Sequence, residues 1–387
     1  MAARQATPTG VRGPYSRELE CARAIAAMLV FARHVSGRMI GASPEEGPPG
    51  FLYSFAVGGQ TGVTLFFVLS AFLLVPPFLE SGGISIRRFF QRRFLRLWPI
   101  YAVAVFAAAV WNAGQPGVVR QSLAYLVYGQ TFWGRVTPLE PFSSVWWSLA
   151  TEVQFYIALG LCGLLGTRRT GRAVLTALLV GYAIAYGVFL VTGFGVSDLS
   201  PSLSLRVSLF GRGWSFLIGG AAAWLYGRFG QRWRRRLAEA TWMRNGGGDM
   251  LLAVVVVAIG LLLMKVETIG TWHAEFVWHA WHLPESMLWA AFVLGLLVLP
   301  LRTRVLLVNE PLERLGTISY SLYLWHLPII VGVATALGIH PGGVVNMEPV
   351  RLLVGVLLAT GLAVAVSSLT YRFIERPMLA RKQRVAT

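Results

Sequence analysis

The sequence predicts an all-α protein, a polytopic membrane helical bundle of about ten transmembrane helices plus one short re-entrant or interfacial helix, with both termini cytosolic. Three observations lead there. Of the 387 residues, 55% are hydrophobic and only 13% are charged, and the mean hydropathy is +0.60. Apolar runs long enough to cross a bilayer recur along the whole chain. The basic residues between those runs are sharply segregated, as cytosolic loops require.

The runs lie near residues 19–37, 57–79, 97–113, 142–165, 173–194, 207–226, 249–269, 286–301, 316–336 and 351–371. Gln121 to Trp133 is also apolar but falls short of the ~20 residues that a crossing needs. With ten crossings, one side collects 25 basic residues, in the N-terminal tail, in loops 80–96, 166–172, 227–248 and 302–315, and in the C-terminal tail. The other side holds Arg38, Arg120, Arg135, Arg206, Lys265 and Arg351. An eleventh crossing at 121–133 would move Arg168, Arg169 and Arg172 to the poor side, so we expect that stretch to be re-entrant or interfacial. The expected organisation is a cytosolic tail (1–17), one membrane domain (18–377) and a second cytosolic tail (378–387), in the cytoplasmic membrane.

A net charge of +17 would suggest nucleic acid in a soluble protein, but here its distribution follows topology, which excludes that partner. Lys265 and Lys382 are the only lysines. Cys21 and Cys162 sit near cytosolic helix ends and suggest neither a disulfide framework nor a metal site. Gly160 and the Gly219-Gly220 pair mark close helix packing.

Ionisable groups at membrane depth are costly, so they face a protein interior or a wet cavity. The first span carries Arg23 and His34. Eleven residues of helix set them about 16 Å apart along the axis and nearly on one face. Glu152 lies near mid-membrane, where only function or a buried ion pair accounts for a carboxylate, and His326 reaches similar depth. Arg212 needs a buried acid or a phosphate. His273, His279 and His282 alternate with Trp272, Trp278 and Trp281, which fits an interfacial aromatic belt better than a metal site. Glu375 is expected to cap and anchor the last helix.

Taken in order, Arg23-x10-His34, Gly62-Val-Thr-Leu-Phe-Phe-Val-Leu-Ser70-Ala-Phe, Arg92-Arg93-x2-Arg96, Trp147-Ser148-x3-Glu152-x3-Tyr156, Ile318-Ser319-Tyr320-Ser321-Leu-Tyr323-Leu-Trp-His326-Leu-Pro328 and Tyr371-x3-Glu375-Arg-Pro377 form a series. It resembles the acyltransferase 3 family of integral-membrane, acyl-CoA-dependent acyltransferases, from Glu18 to Pro377. Two departures are Ala71, where a glycine is usual, and Glu18-Leu-Glu20, where an Asp-Gly pair is common. The resemblance implies transfer of a short acyl group, commonly acetyl, from acyl-CoA (acetyl-CoA) to a hydroxyl, with no metal.

On that reading Arg23 and His34 are separated by about the reach of an extended pantetheine arm. His34 is the candidate general base, because imidazole titrates near working pH, and Glu152 or His326 orients it. Arg23, Arg92, Arg93 and Arg96 are assigned to the phosphates of coenzyme A, with Ser70 and Tyr323 as further donor contacts. Arg87 and Arg88 read as an ordinary positive-inside loop. Trp147, Ser148 and Arg212 are assigned to the acceptor. Family members acting on envelope polymers often carry an extra hydrolase-like domain, which favours a natural product here, best a macrolide hydroxyl in antibiotic biosynthesis. A cell-surface or lipid-linked glycan is the alternative. A transporter is the alternative of another class, disfavoured because no inverted repeat or matched broken helices are visible. The expected partners are acyl-CoA, the acceptor and the lipid bilayer, with a homodimer left open.

Overall fold

In the computed structural model every predicted apolar span falls on a helix, and no strand occurs among the described residues, which are 17–40, 50–79, 85–131, 138–166, 169–192, 207–269, 280–339 and 349–384. The expectations for most of both tails, for Arg135, Arg168 and Arg206, and for His273, His279, Trp272 and Trp278 lie outside them. Helix α1 is Arg17–Val35, α2 Phe51–Val57, α3 Thr61–Leu74, α4 Pro76–Leu79, α5 Ile86–Trp111, α6 Val118–Leu126, α7 Trp147–Gly166 and α8 Arg169–Thr192. They are followed by α9 Leu209–Glu239, α10 Gly248–Ile269, α11 His282–Val298, α12 Arg304–Leu307, α13 Glu310–Thr317, α14 Ser319–Ala336, α15 Pro349–Thr370 and α16 Arg376–Arg384.

By length and composition four helical stretches suffice to cross a membrane: Ile86–Trp111, Trp147–Leu165, Met243–Val266 and Pro349–Arg381. Two bent pairs, α2 with α3 at 71° and α12–α13 with α14 at 70°, raise this to six. Helix α1 falls short only because Arg17, Glu18, Glu20, Arg23 and Arg33 interrupt it. Large apolar side chains point outward along α5, α8, α10 and α15, including Phe106, Leu178, Val254 and Leu357. A surface of that kind needs lipid around it, so the protein is a membrane protein.

Several expectations need correction. The second span is not one straight helix, because the chain turns at Gly58–Gln60 between α2 and α3. Broken helices therefore do occur, at these two bent pairs. The third span was expected from 97, but α5 starts at Ile86, where Ser85 caps it by accepting from the Arg88 N–H at 3.4 Å. The short stretch within 121–133 contains most of α6, nine residues or about 14 Å long, which cannot cross. It lies on α5, with the Tyr101 hydroxyl donating to the Tyr125 carbonyl at 3.1 Å.

One core cluster forms where α1, α3, α9 and α11 meet and another among α3, α5, α7 and α14. A Cβ on Gly62 would lie 2.3 Å from the Ala26 carbonyl oxygen, and one on Gly219 2.4 Å from that of Val68. Glycine thus lets α3 approach α1 on one side and α9 on the other, backbone to backbone. The start of α1 is tied down by Arg17 to Glu313 at 2.7 Å and by an ion pair between Glu18 and Arg304. Glu375, buried in the π-helical turn Tyr371–Glu375, accepts from the Ser321 hydroxyl and so fixes the last helices to α14.

Candidate active site

One face of α1 presents Arg23 and His34 to two different surroundings. At the Arg23 end lies a cavity of about 450 Å³, within the range of small-molecule sites. Helix α1 contributes Glu20 and Arg23, α5 Arg93 and Arg96, α3 Phe66 and Ser70, α7 Ser148, Glu152 and Tyr156, and α14 Tyr320 and Tyr323. Glu152 Oε1 accepts from the Ser70 hydroxyl at 2.5 Å and from Tyr156 at 2.6 Å. The Arg93 guanidinium stands 5.9 Å from the Tyr156 ring centre, and Arg23 Nη1 is 3.7 Å from Glu20 Oε1. Three cations thus face two carboxylates, one of them already engaged by two hydroxyls. The Nε atoms of Arg92 and Arg93 are buried without a hydrogen-bond acceptor. Buried guanidinium donors lacking an acceptor suit an incoming polyphosphate, which arginine binds in a planar, forked manner. Arg92 does not line the cavity, and Arg87 and Arg88 are exposed away from it.

Near the other end of α1 the structure brings His34 and His326 together, with His326 Nε2 3.3 Å from His34 Nδ1 and ring centres 4.9 Å apart. The protonation pattern follows from what surrounds them. His34 Nδ1 is 2.8 Å from the Val30 carbonyl oxygen, which only accepts, so Nδ1 carries the hydrogen. His326 Nδ1 faces the Leu322 and Tyr323 carbonyls at 3.1 and 2.9 Å and is likewise the donor. His326 Nε2 is then a bare acceptor toward His34 Nδ1–H. The His34 Nε2 lone pair is left without a hydrogen, which is what a base requires. A proton arriving there would be stabilised through Nδ1–H by two acceptors, the arrangement that the third member of a catalytic triad provides.

A family model described as an acyltransferase domain matches residues 16–371. The chain belongs to the acyltransferase 3 family. Among relatives, OatA of Staphylococcus aureus (strain NCTC 8325 / PS 47), named an O-acetyltransferase, is 26% identical over 83% of this chain and 53% of its own length. Peptidoglycan O-acetyltransferase OatA of Listeria monocytogenes serovar 1/2a is 23% identical over 94% of this chain and 56% of its own. YrhL of Bacillus subtilis (strain 168), provisionally named for the same activity, is 27% identical over 84% and 51%. The chain therefore spans about half the length of these curated relatives. No solved structure matches it.

Within this acyltransferase 3 chain, Arg23, Arg93, Arg96, Ser70, Ser148, Glu152 and Tyr323 share the cavity, whereas His34 and His326 pair beyond it. Of the two residues expected near His34, Glu152 is engaged by Ser70 and Tyr156 in the cavity, and His326 is the one placed against His34 Nδ1. Arg212 does not line the cavity either. Its Nη1 is 2.7 Å from His282 Nδ1, which lies 3.0 Å from Glu285 Oε2, and its guanidinium stands 5.3 Å from the Trp147 ring centre. Arg212 and the buried acid Glu285 thus both converge on the same Nδ1 of His282. Trp281 and His282 are buried in the core, not spread along an interface, because α11 starts between α3 and α9, where Glu285 needs polar neighbours. Tyr156 and Glu20 also line the cavity, although the motif strings that contain them assigned neither a role. Tyr156 stands one helical turn after Glu152, a spacing that could have revealed it.

Proposed function

We propose that the protein is a multi-pass enzyme of the cytoplasmic membrane that transfers an acetyl group from acetyl-CoA to a hydroxyl of a cell-surface or lipid-linked glycan. The observation that carries this reading is the neutral histidine pair, with a bare Nε2 on His34 backed by His326. The arginine-lined cavity at the opposite end of the same helix face supports it. With the 25 basic residues cytosolic, ten spans place both termini and the Arg23 end in the cytosol, where coenzyme A is found. The Listeria and Bacillus relatives, whose names give peptidoglycan O-acetyltransferase, favour the glycan over a macrolide, which they do not support.

In the proposed reaction the phosphates stay at Arg23, Arg93 and Arg96 while the pantetheine arm follows α1 toward His34. The acceptor oxygen adds to the thioester carbonyl as its proton passes to His34 Nε2. The C–S bond then breaks and the thiolate recovers the proton, so the chemistry is neutral overall. Trp147 and Arg212 offer an aromatic face and a cation to an acceptor arriving from the His34 side. Both substrates meet at His34, so no covalent relay is required.

The test is radiolabelled acetyl-CoA supplied to the cytosolic face of inside-out vesicles, with cell-wall glycan or its lipid-linked precursor inside. Label in the glycan with equimolar coenzyme A release is expected. Neither glycan form being labelled, despite folded protein, would refute the acceptor. Stoichiometric label on His34 with acceptor omitted would replace direct transfer by an acyl-enzyme relay.

A further inference from the structure

The arginine-lined cavity and the histidine pair adjoin through Tyr323. Phe66 and Tyr323 line the cavity, and neither His34 nor His326 does. Phe66 stands edge-on to Tyr323 with ring centres 6.2 Å apart. The Tyr323 ring also meets that of buried His326, one helical turn further along α14, at 5.7 Å. Tyr323 is also latched. The Tyr323 hydroxyl donates to the Val145 carbonyl at 2.6 Å and lies 2.6 Å from Ser148 Oγ. With its hydrogen given to Val145, the tyrosine oxygen can accept only from Ser148. Two hydrogen bonds thus pin a side chain of α14 to the first turn of α7 and to the short 3-10 turn, Ser143–Val145, just before it.

We propose that Tyr323, with Phe66, is a door between the cavity and the His34–His326 pair, shut in this arrangement and opened by the donor's acyl arm. The inference rests on the reading of the cavity as the donor site. Chemistry gives the door a purpose. A bare His34 Nε2 in contact with a wet, thioester-holding cavity would activate water as readily as an alcohol. Water oxygen would add to the carbonyl carbon, its proton would pass to Nε2, the C–S bond would break, and the thiolate would recover the proton. Donor would be lost as free acid and coenzyme A. An unbroken wet path along α1 would also breach the bilayer's barrier to ions. Both latch bonds join uncharged groups, so they are weak enough for an incoming ligand to exchange.

Tyr323→Phe is the decisive variant, because it keeps the ring and removes both latch bonds. In proteoliposomes with acetyl-CoA and no acceptor, we expect thiol release to rise about 10-fold over wild type. With acceptor present, fewer acylated products should form per coenzyme A released. Ser148→Ala removes one of the two bonds and should shift both readouts the same way by less, which covers a Tyr323→Phe protein that fails to fold. A second measurement does not depend on turnover: diethyl pyrocarbonate applied from the cytosolic face should modify His34 and His326 faster in both variants. Hydrolysis and modification at wild-type rates in folded variants that still transfer acetyl would overturn the door. A wild type that releases no coenzyme A even with acceptor overturns the donor reading instead, and histidine modification alone then decides whether the two rings seal the pair.

Discussion

Replacing His326 by alanine removes one of the two acceptors around the His34 Nδ1 proton, and the size of the loss follows from what remains. Val30 still accepts that hydrogen at 2.8 Å, so the tautomer that leaves Nε2 bare is kept. What disappears is a hydrogen bond that becomes charge-assisted once His34 takes the acceptor's proton, worth about 1.5–3 kcal/mol. At 1.36 kcal/mol per tenfold, kcat should fall by roughly 10- to 150-fold. His34→Ala removes the base itself and should cost about 10²–10⁴. His326 acts only through His34, so the double variant should be no slower than His34→Ala alone. The assay is acetyl transfer in proteoliposomes at saturating acetyl-CoA, with thermal unfolding in detergent as the check on folding. His326→Gln, which can offer a carbonyl oxygen in the same region, should recover part of the rate. A double variant slower by the product of the two single effects would refute the reasoning, as would His326→Ala matching His34→Ala.

Arg23→Ala, Arg93→Ala and Arg96→Ala should each raise the apparent KM for acetyl-CoA with little change in acceptor KM. Added salt should weaken donor binding by wild type more than by the variants; unchanged coenzyme A titrations would count against the phosphate clamp. Glu152→Ala leaves the Ser70 and Tyr156 hydroxyls without their acceptor, at about 1–3 kcal/mol each, so it should lower the melting temperature clearly, whereas Glu152→Gln keeps an acceptor and should lower it less. Gly62→Val drives a side chain into the Ala26 carbonyl, and overpacking of that kind costs about 1–3 kcal/mol or more, visible as loss of monodisperse protein on size exclusion. Tags at both termini should be reached only from the cytosolic side, and opposite labelling of the two ends would overturn an even number of spans.

What is local or additive can be read from residue order alone. Helical content follows from apolar run length, the expected orientation from summed arginines, and the shared face of Arg23 and His34 from helical repeat alone. The ordered motifs were enough to identify the family, because each is a short string at a fixed place. Tyr156 was within reach for the same reason, one turn from Glu152. Tertiary structure decided which polar groups meet. His34 and His326 are 292 residues apart, and Ser70 and Glu152 82, so no periodicity links either pair. Glu152 looked as suited as His326 to orient His34, since depth in a membrane fixes only one coordinate of a side chain. The other coordinate is the rotation of each helix about its axis. Here it is set by backbone approach at Gly62 and Gly219 and by hydroxyls that cannot stay unpaired in an apolar interior. The same packing turned Arg212 to His282, buried Trp281, and set Tyr323 against both the cavity and His326. Chain connectivity carries no record of those rotations.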